Sequence, residues 1–250
     1  CVFNMITIII PFYNEESKNK KSLRSFLKAL SKYISLNFNK KSQFILIDDG
    51  STDKTLQVIQ AFIKNLDKNQ KKKILFISND TNRGLGYTIR KGFELAKTKY
   101  VTTLPSDNDL PFINYKKFTS KNLDFVMFYR SNMEKYTRGR LILSTLFTLF
   151  YNVAFDIKTH YIQATCLYKL KLIKKLIKKS NIKLSGTSYL AELATKLLRS
   201  NITFTEEPTY YKNKSTIDRT VSLKNLLMVI KDFILIYIDV NIINKSQYKK

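Results

Sequence analysis

Two aspartates separated by a single residue, in Asp107-Asn108-Asp109, form the arrangement in this chain that could do chemistry most directly. Such a pair can share a hard divalent cation. Mg²⁺ and Mn²⁺ prefer oxygen ligands and often take only one or two carboxylates, with phosphate and water completing the shell. Asp and Asn also populate ordinary turns, so the triplet alone is a weak signal. Its meaning depends on the element that it follows.

A second acidic pair, Asp48-Asp49, is followed by Gly50 and Ser51. A carboxylate at the end of a strand can accept hydrogen bonds from a ribose hydroxyl or from a base N–H. The same four residues can also be a turn that leads into a helix cap. We assign the cap to Ser51 or Asp53 and the ligand contact to Asp49.

Two glycines, Gly84 and Gly86, flank Leu85 just before a predicted helix. They would let the backbone approach a ligand at a helix N-terminus, where negative charge is favoured. Their spacing matches neither the dinucleotide-binding fingerprint nor the P-loop. The glycines therefore indicate a close backbone approach without naming the ligand.

The elements that must position these residues alternate over the first 130 residues between apolar runs and stretches of helical periodicity. The predicted strands cover residues 5–10, 44–47, 74–77, 100–104 and 125–128. Strands that are apolar throughout, with helices between them, predict a mostly parallel sheet covered on both faces. In such sheets the ligand lies at the carboxyl ends of the strands, and the polar clusters described above follow the second and fourth strands.

The second half of the chain is less regular. We predict helices over residues 138–155, 167–179 and 188–198, and a late strand over residues 202–204 before Pro208. The helix over 167–179 alternates apolar residues with lysines at helical spacing. His160, the single histidine, has no evident partner in the sequence, so we interpret it as a surface or core residue.

Four stretches in this order resemble the inverting family 2 glycosyltransferases of the GT-A fold, in particular the dolichol-phosphate mannose synthase branch and its bacterial polyprenyl-phosphate relatives. The matching stretches are residues 8–16 (IIIPFYNEE), 47–55 (IDDGSTDKT), 82–86 (NRGLG) and 107–110 (DNDL). Weaker matches are residues 124–130, which end in Arg130, then Glu192 and residues 206–208. The resemblance covers roughly residues 5 to 225 and implies an α/β GT-A fold, with a mostly parallel sheet flanked by helices and a C-terminal amphipathic helical segment.

The resemblance also implies roles for the donor side of a nucleotide-sugar site. Pro11, Tyr13 and Glu15 would line the nucleotide pocket, and Asp49 would bind the base. Gly84 would belong to the donor-binding loop.

The same resemblance implies a metal and an acceptor side. Asp107 and Asp109 would hold Mg²⁺ or Mn²⁺ on the diphosphate of a UDP- or GDP-linked donor, and Asp109 would be catalytic. Arg130 would face phosphate, or equally well form an ion pair at the edge of the core. Glu192 would be catalytic near the acceptor, or an ordinary surface carboxylate.

The charge balance is strongly basic, with a formal net charge of +25. Abundant Lys, Asn and Ile beside scarce Gly and Pro fit the coding bias of an AT-rich genome, and phosphate-bearing partners are the alternative explanation. No basic-aromatic recognition motif supports nucleic acid as the partner. The two cysteines have neither metal nor redox spacing, which favours a reducing, cytoplasmic compartment.

Two apolar segments bear on the acceptor. Residues 141–155 are free of charge but too short to span a bilayer, and residues 226–243 are interrupted by Lys231, Asp232 and Asp239. We predict a GT-A domain over residues 1–210 and a C-terminal tail over 211–250 with an amphipathic helix on the inner face of a membrane. The predicted acceptor is a polyprenyl phosphate. The alternatives are a saccharide hydroxyl in a cell-surface glycan, or a catalytically idle nucleotide-binding scaffold.

Overall fold

A computed structural model of the chain describes residues 6–37, 42–107, 112–132, 138–179, 186, 188–211 and 223–248. Seven strands form one sheet with the order β3-β2-β1-β4-β6-β5-β7. In chain order they are β1 (Ile6–Phe12), β2 (Gln43–Asp48), β3 (Ile74–Ser78), β4 (Tyr100–Thr103), β5 (Phe125–Arg130), β6 (Thr165–Lys169) and β7 (Phe204–Thr209). Strands β1 to β4 are parallel, β6 runs antiparallel to its neighbours β4 and β5, and β7 is parallel to β5.

The mostly parallel sheet is confirmed, with two local corrections. The late strand that we predicted over residues 202–204, before Pro208, is β7 at Phe204–Thr209 and includes Pro208. We predicted a single helix over residues 167–179, but residues 167–169 belong to β6 and the helix begins only at Leu170. Cys166, Leu167 and Tyr168 are all buried because β6 is inserted in the middle of the sheet. A strand buried on both faces has no alternation of apolar and polar residues that would reveal its period.

The helices cover both faces of the sheet. They are α1 (Glu15–Asn37), α2 (Thr55–Lys64), α3 (Lys68–Lys71), α4 (Leu85–Leu95), α5 (Lys116–Thr119), α6 (Arg138–Phe155), α7 (Leu170–Lys179), α8 (Ser188–Leu198) and α9 (Leu223–Ile238). Helix α1 begins at Glu15, eight residues before Leu23, the first apolar residue with helical spacing in this part of the sequence. Its first turn carries Glu15 and Glu16, whose negative charge stabilises a helix N-terminus.

Two apolar layers enclose the sheet. One contains side chains of α1 and α2, and the other contains side chains of α4, α6, α7 and α8. At Gly92 on α4, an added Cβ would lie 2.6 Å from the side chain of Ile9. This close approach lets α4 pack directly on β1, and it fixes the start of α4 beside the carboxyl edge of the sheet.

The C-terminal helix packs on the same core as the rest of the chain. Ile236, Val240 and Tyr248 belong to the second apolar layer. The ring of Phe233 lies 4.6 Å from that of Phe150 on α6. In the described ranges, no helix is both long and apolar enough to cross a membrane. The domain boundary at residue 210 stays a prediction, because residues 212–222 lie outside the described residues.

Asp124 joins the beginning of β5 to two neighbouring strands. Its carboxylate accepts hydrogen bonds from Lys169 Nζ at 2.8 Å and from the backbone N and Oγ1 of Thr203 at 3.0 and 2.9 Å. Burial tends to raise the pKa of Asp124, but these hydrogen bonds and the Lys169 charge lower it by more. The ionised carboxylate therefore stabilises the folded state.

We expect Asp124→Asn to lower the free energy of unfolding by about 1–3 kcal/mol at pH 7, because the amide loses the charge and cannot accept all three bonds. A lowered pKa contributes stability that is complete above the unfolded-state pKa, about 3.9, and is lost as the pH falls through the folded-state value. The difference between wild type and variant, measured by urea denaturation, should therefore be constant above about pH 5 and should narrow only in stronger acid.

Asp156→Asn is the matched control for this measurement. The Asp156 side chain is 93% exposed, and asparagine tolerates its positive φ of 49°. We expect little change in stability at any pH. A pH-independent difference for Asp124→Asn would contradict the stabilising role of the charge.

Candidate functional site

A pocket of about 300 Å³ opens at the carboxyl edge of the sheet, where β1, β2 and β4 end. It brings together side chains from four separate segments of the chain. Six of the predicted donor-binding residues line it: Pro11, Tyr13, Glu15, Asp49, Gly84 and Asp107. The other lining residues are Phe12, Lys18, Asn82, Leu85, Pro105 and Ser106.

Asn14 connects the first loop of the pocket to the second. It adopts a φ of 51°, a left-handed conformation that asparagine tolerates better than most residues. Its backbone N donates to Ser51 Oγ at 3.0 Å, and its Oδ1 accepts from the backbone N of Thr52 at 2.8 Å. The loop after β1 is therefore held against the loop after β2.

The two aspartates at the end of β2 have different roles. Asp48 is fully buried and accepts hydrogen bonds from the backbone N and Oγ of Ser51, so it shapes the turn. The N-cap of α2 is Lys54, which makes no side-chain capping bond, so the cap that we assigned to Ser51 or Asp53 is wrong. Asp53 nevertheless holds the start of the helix. Its Oδ1 accepts from the backbone N of Thr55 at the start of α2, and its Oδ2 accepts from the backbone N of Ser17 in α1.

Asp49 is nearly buried and holds the third loop of the pocket. Its Oδ1 accepts from Asn79 Nδ2 at 2.8 Å and from the backbone N of Arg83 at 3.0 Å, and its Oδ2 accepts from the backbone N of Gly84 at 2.9 Å. Gly84 has a φ of 89°, which favours glycine, and leads directly into α4. Asp49 therefore sets the backbone of the loop at the floor of the pocket.

Gly50 has no room for a side chain. Its φ is +68°, and an added Cβ would lie 2.4 Å from the carbonyl carbon of Thr81 and 2.7 Å from the backbone N of Asn82. Because the clash is with backbone, no side-chain rotation can relieve it. The loops after β2 and β3 can approach each other only when glycine separates them.

Asp107 is exposed at the rim of the pocket, and its carbonyl oxygen accepts from Ser22 Oγ at 2.9 Å. Asn108 and the predicted metal ligand Asp109 lie outside the described residues. In the ranges that the structure does describe, no group of three or more His, Cys, Asp or Glu side chains is arranged to hold a metal ion. An exposed carboxylate beside a pocket of this size fits a divalent cation that takes one or two protein carboxylates and draws its other ligands from phosphate and water.

Arg130 lies at the end of β5 and does not line the pocket. It is buried, and its guanidinium carbon is 4.5 Å from the centre of the Tyr211 ring. Asn132 in turn holds the backbone of Tyr211. Asn132 Nδ2 donates to the backbone O of Tyr211, and Asn132 Oδ1 accepts from its backbone N. The role of Arg130 toward phosphate stays a prediction.

Glu192 also lies away from the pocket, buried on α8. It is ion-paired with Lys196, which is fully buried and also contacts Asp239 at 2.6 Å. Burial raises the pKa of Glu192, with partial compensation from the Lys196 charge, while the two carboxylates keep the pKa of Lys196 raised despite its burial. These contacts bind α8 to the C-terminal segment. The acceptor role of Glu192 stays a prediction.

His160 is a surface residue, one of the two alternatives that we gave, but it has a partner that is not evident in the sequence. Its Nδ1 lies 2.7 Å from Glu206 Oε2 on β7, and its ring is stacked on Tyr129 with centroids 4.3 Å apart. Glu206 is 46 residues away in the sequence, so no local pattern could have revealed the pair.

Lys18 is a pocket residue that the sequence analysis missed. Its Nζ donates to the backbone O of Tyr13 at 2.6 Å and to Glu15 Oε1 at 2.8 Å. The signal was available in principle, because residues three apart on a helix are neighbours and Glu15 begins α1.

Comparison with curated proteins finds several partial relatives. An uncharacterized glycosyltransferase of Haemophilus influenzae is 36% identical over 123 residues, 49% of this chain and 42% of that protein. A dolichyl-phosphate beta-glucosyltransferase of Dictyostelium discoideum is 25% identical over 112 residues, 45% of this chain and 33% of that protein. A poly-beta-1,6-N-acetyl-D-glucosamine synthase of Staphylococcus epidermidis is 31% identical over 117 residues, 45% of this chain and 25% of that protein. The aligned segment spans less than half the length of each relative.

Solved structures share the fold. S. aureus TarS 1-349 in complex with UDP superposes with a TM-score of 0.61 at 18% identity, covering 94% of this chain and 66% of that one. The mannosyltransferase PcManGT of Pyrobaculum calidifontis, in complex with GDP-Man and Mn²⁺, superposes with a TM-score of 0.54 at 13% identity, covering 87% and 59%. At these identities the likeness concerns the fold alone, and it confirms the GT-A class.

The family follows from the sequence match. The model of Glycosyl transferase family 2 matches residues 7–177, which run from the second residue of β1 past β6 and include every described residue that lines the pocket. The chain belongs to this family.

We expect Gly50→Ala to abolish the pocket, because the methyl group would force apart the loops after β2 and β3. Thermal denaturation should show a loss of about 2 kcal/mol or more, from a clash with backbone combined with an unfavourable φ. Gly139→Ala on α6 is the matched control, since an added Cβ there has nothing within 4 Å. It should be neutral or slightly stabilising. Equal stability of the two variants would contradict the close approach at Gly50.

Proposed function

We propose that the chain transfers a sugar, with inversion, from a nucleotide-diphosphate donor to an acceptor. The observation that supports this most is the convergence of six predicted donor residues on one pocket, although they come from segments as far apart as Pro11 and Asp107. Family membership independently supports sugar transfer, and structural relatives are known in complex with UDP and with GDP-Man.

Mg²⁺ or Mn²⁺, held by Asp107 and Asp109 in this proposal, would offset the negative charge that builds on the departing nucleoside diphosphate. The residues of the chain would do the rest by positioning. Asp49 keeps the loop around Gly84 closed against the donor, and the start of α4 directs backbone N–H groups toward negative charge. The Lys18 ammonium, ion-paired with Glu15, lines the same wall.

The proposed acceptor is a polyprenyl phosphate at the inner face of a membrane. One relative is a dolichyl-phosphate beta-glucosyltransferase. The surface formed by α6 and α9 gives independent support, because both helices expose large apolar side chains although they are packed on each other. The exposed side chains are Ile142, Leu143, Leu146, Leu149, Phe150 and Val153 on α6, and Leu227, Met228, Ile230, Ile234, Leu235, Tyr237 and Ile238 on α9.

Charge at the margins of this apolar surface fits an anionic membrane. Arg138, Lys158, Lys231 and Lys245 are exposed near the helix ends or between the apolar side chains. Basic residues around a helical apolar face are typical of helices that lie in the membrane interface. A saccharide hydroxyl is the second candidate acceptor, supported by the similarity to a poly-beta-1,6-N-acetyl-D-glucosamine synthase.

Donor binding is tested by thermal denaturation with UDP, GDP and their sugars, with and without Mn²⁺. We expect one base to raise the melting temperature and Mn²⁺ to increase the shift, because ligands that bind only the native state stabilise it. Asp107→Ala and Asp109→Ala should keep the melting temperature of the free protein, lose the increment from Mn²⁺ and lose transfer.

The rival functions give different results in the same screen. An idle scaffold would bind a nucleotide weakly and transfer no sugar. A nucleic-acid-binding protein would show strong, salt-dependent affinity for RNA or DNA and no nucleotide shift. The absence of a shift with every nucleotide would refute the proposed function.

Membrane contact is tested by sedimentation with vesicles that contain anionic lipid. Leu149→Glu should weaken binding about tenfold or more, because it removes a large apolar side chain from the interface and adds repulsion. Gln60→Glu, on the exposed face of α2, adds the same charge elsewhere and should have little effect. Equal binding of the two variants would contradict a contact through α6.

A further inference from the structure

His160 is held in a defined orientation at the carboxyl edge of the sheet. Glu206 Oε1 accepts from Thr159 Oγ1 at 2.6 Å and from the backbone N of His160 at 2.9 Å, while Oε2 faces Nδ1 at 2.7 Å. The Tyr129 ring lies parallel to the imidazole, with an interplanar angle of 8°. The orientation is therefore fixed at the backbone, at one ring nitrogen and on one ring face.

This arrangement leaves one nitrogen for a ligand. A carboxylate can only accept, so Nδ1 carries the proton in the contact with Glu206, and Nε2 of the neutral ring is a proton acceptor. The His160 side chain is 61% exposed, and Nε2 has no hydrogen-bond partner in the part of the chain that the structure describes. A histidine oriented by a carboxylate, with its second nitrogen open to solvent, is the usual form of a general base.

The sheet topology places this pair at the same edge of the sheet as the donor pocket, with Tyr129 on β5 and Glu206 on β7. Tyr129 lies near the end of β5, two strands from β4, whose continuation carries Pro105 and Asp107. Two strand spacings are about 10 Å. His160 precedes β6, which lies between those two strands and starts at the same edge. The strands that hold His160 are thus on the opposite side of β4 from β1 and β2, which carry Pro11 and the predicted base-binding residue Asp49.

The other titratable groups around His160 are not arranged to act as a general base in its place. Glu206 is occupied by the three contacts described above, and Lys158 and Asp156 are exposed on the same loop. The Cys166 thiol is buried close enough to Glu206 to feel its charge. Burial together with this charge raises the pKa of the Cys166 thiol to about 12, so the thiol stays neutral. Glu192, the predicted acceptor-side carboxylate, is ion-paired to a fully buried lysine elsewhere.

We infer that His160, oriented by Glu206, is the acceptor-side general base of this glycosyltransferase, with Nε2 taking the proton of the attacking oxygen. The inference rests on the proposed function. As the acceptor O–H loses its proton to Nε2, the oxygen forms a bond to the anomeric carbon of the donor. The bond from that carbon to the diphosphate oxygen breaks, and its electron pair leaves with the nucleoside diphosphate.

The O–H can belong to a sugar hydroxyl or to a singly ionised phosphate monoester, whose second pKa is about 6. For a hydroxyl acceptor, the reduction in transfer rate that follows removal of His160 should be the same from pH 6 to pH 8. For a phosphate acceptor, this reduction should become smaller as the pH rises, because the dianion has no proton to remove. Water is a third O–H acceptor, so slow hydrolysis of the donor gives an assay that needs no knowledge of the natural acceptor.

The experiment compares His160→Ala, Glu206→Gln and the control Glu207→Gln, which changes the neighbouring carboxylate on the opposite face of β7. We expect His160→Ala to lower donor hydrolysis, and transfer to a hydroxyl acceptor, by about 100-fold or more, and added imidazole to restore part of the rate. Glu206→Gln should lower the same rates about tenfold or more, since an amide can favour the wrong tautomer of His160. Stabilisation by the donor nucleotide should be unchanged in all three, and Glu207→Gln should be fully active.

Full donor hydrolysis by His160→Ala, or a loss of hydrolysis that imidazole does not restore, would overturn the inference while leaving the proposed function intact. If the wild-type protein binds no nucleotide and neither hydrolyses nor transfers any donor sugar, the proposed function fails and the inference fails with it. Retention of nucleotide stabilisation in His160→Ala separates loss of a base from loss of the fold.

Discussion

The contact between Gly50 and the backbone of Thr81 and Asn82 is the constraint on which the pocket depends. It brings the end of β2 so close to the loop after β3 that Asp49 can hold the backbone N–H groups of Arg83 and Gly84. That loop in turn sets the start of α4. A carboxylate that organises one wall of a pocket remains able to accept a further bond from a ligand, because each oxygen has more than one lone-pair direction. The structural and ligand-binding interpretations of Asp49 are therefore compatible.

The antiparallel strand β6 determines which loop lies at the carboxyl edge of the sheet beyond β4. If β5 followed β4 directly, the segment between α6 and β6 would not lie beside the end of β4. Because β6 begins at the carboxyl edge, where its parallel neighbours end, the loop that carries Thr159 and His160 lies at that edge too. Glu206 comes from β7 on the other side of β5. The two halves of the chain thus supply different parts of one edge.

The two halves of the chain also differ in how much could be predicted from the sequence. The donor side is built from residues that directly follow apolar strands, so strand order and local pattern were enough to select Asp49, Gly84 and Asp107. The strand β6 was missed because it is buried on both faces and passes without a turn residue into the Lys-rich helix. The partner of His160 could not be predicted, because Glu206 lies 46 residues away and meets it only through the packing of β7. Lys196 follows Glu192 by four residues on α8, so helical spacing alone allowed that pair. Helical spacing did not reveal that the pair is buried or that Lys196 also contacts Asp239.

The buried ion pairs of Lys196 also bear on how a membrane contact would act on the site. Replacing either carboxylate would leave a fully buried ammonium poorly compensated, which is costly, so the link from α8 to Asp239 resists local opening. The rings of Phe150, Tyr151 and Phe155 pack around Phe233 and join α6 to α9 by a second, apolar contact. The exposed apolar surface is therefore carried by elements that are fixed to the core beneath the sheet. A bilayer bound there would orient the whole sheet, and with it the acceptor side of the edge, rather than a mobile tail.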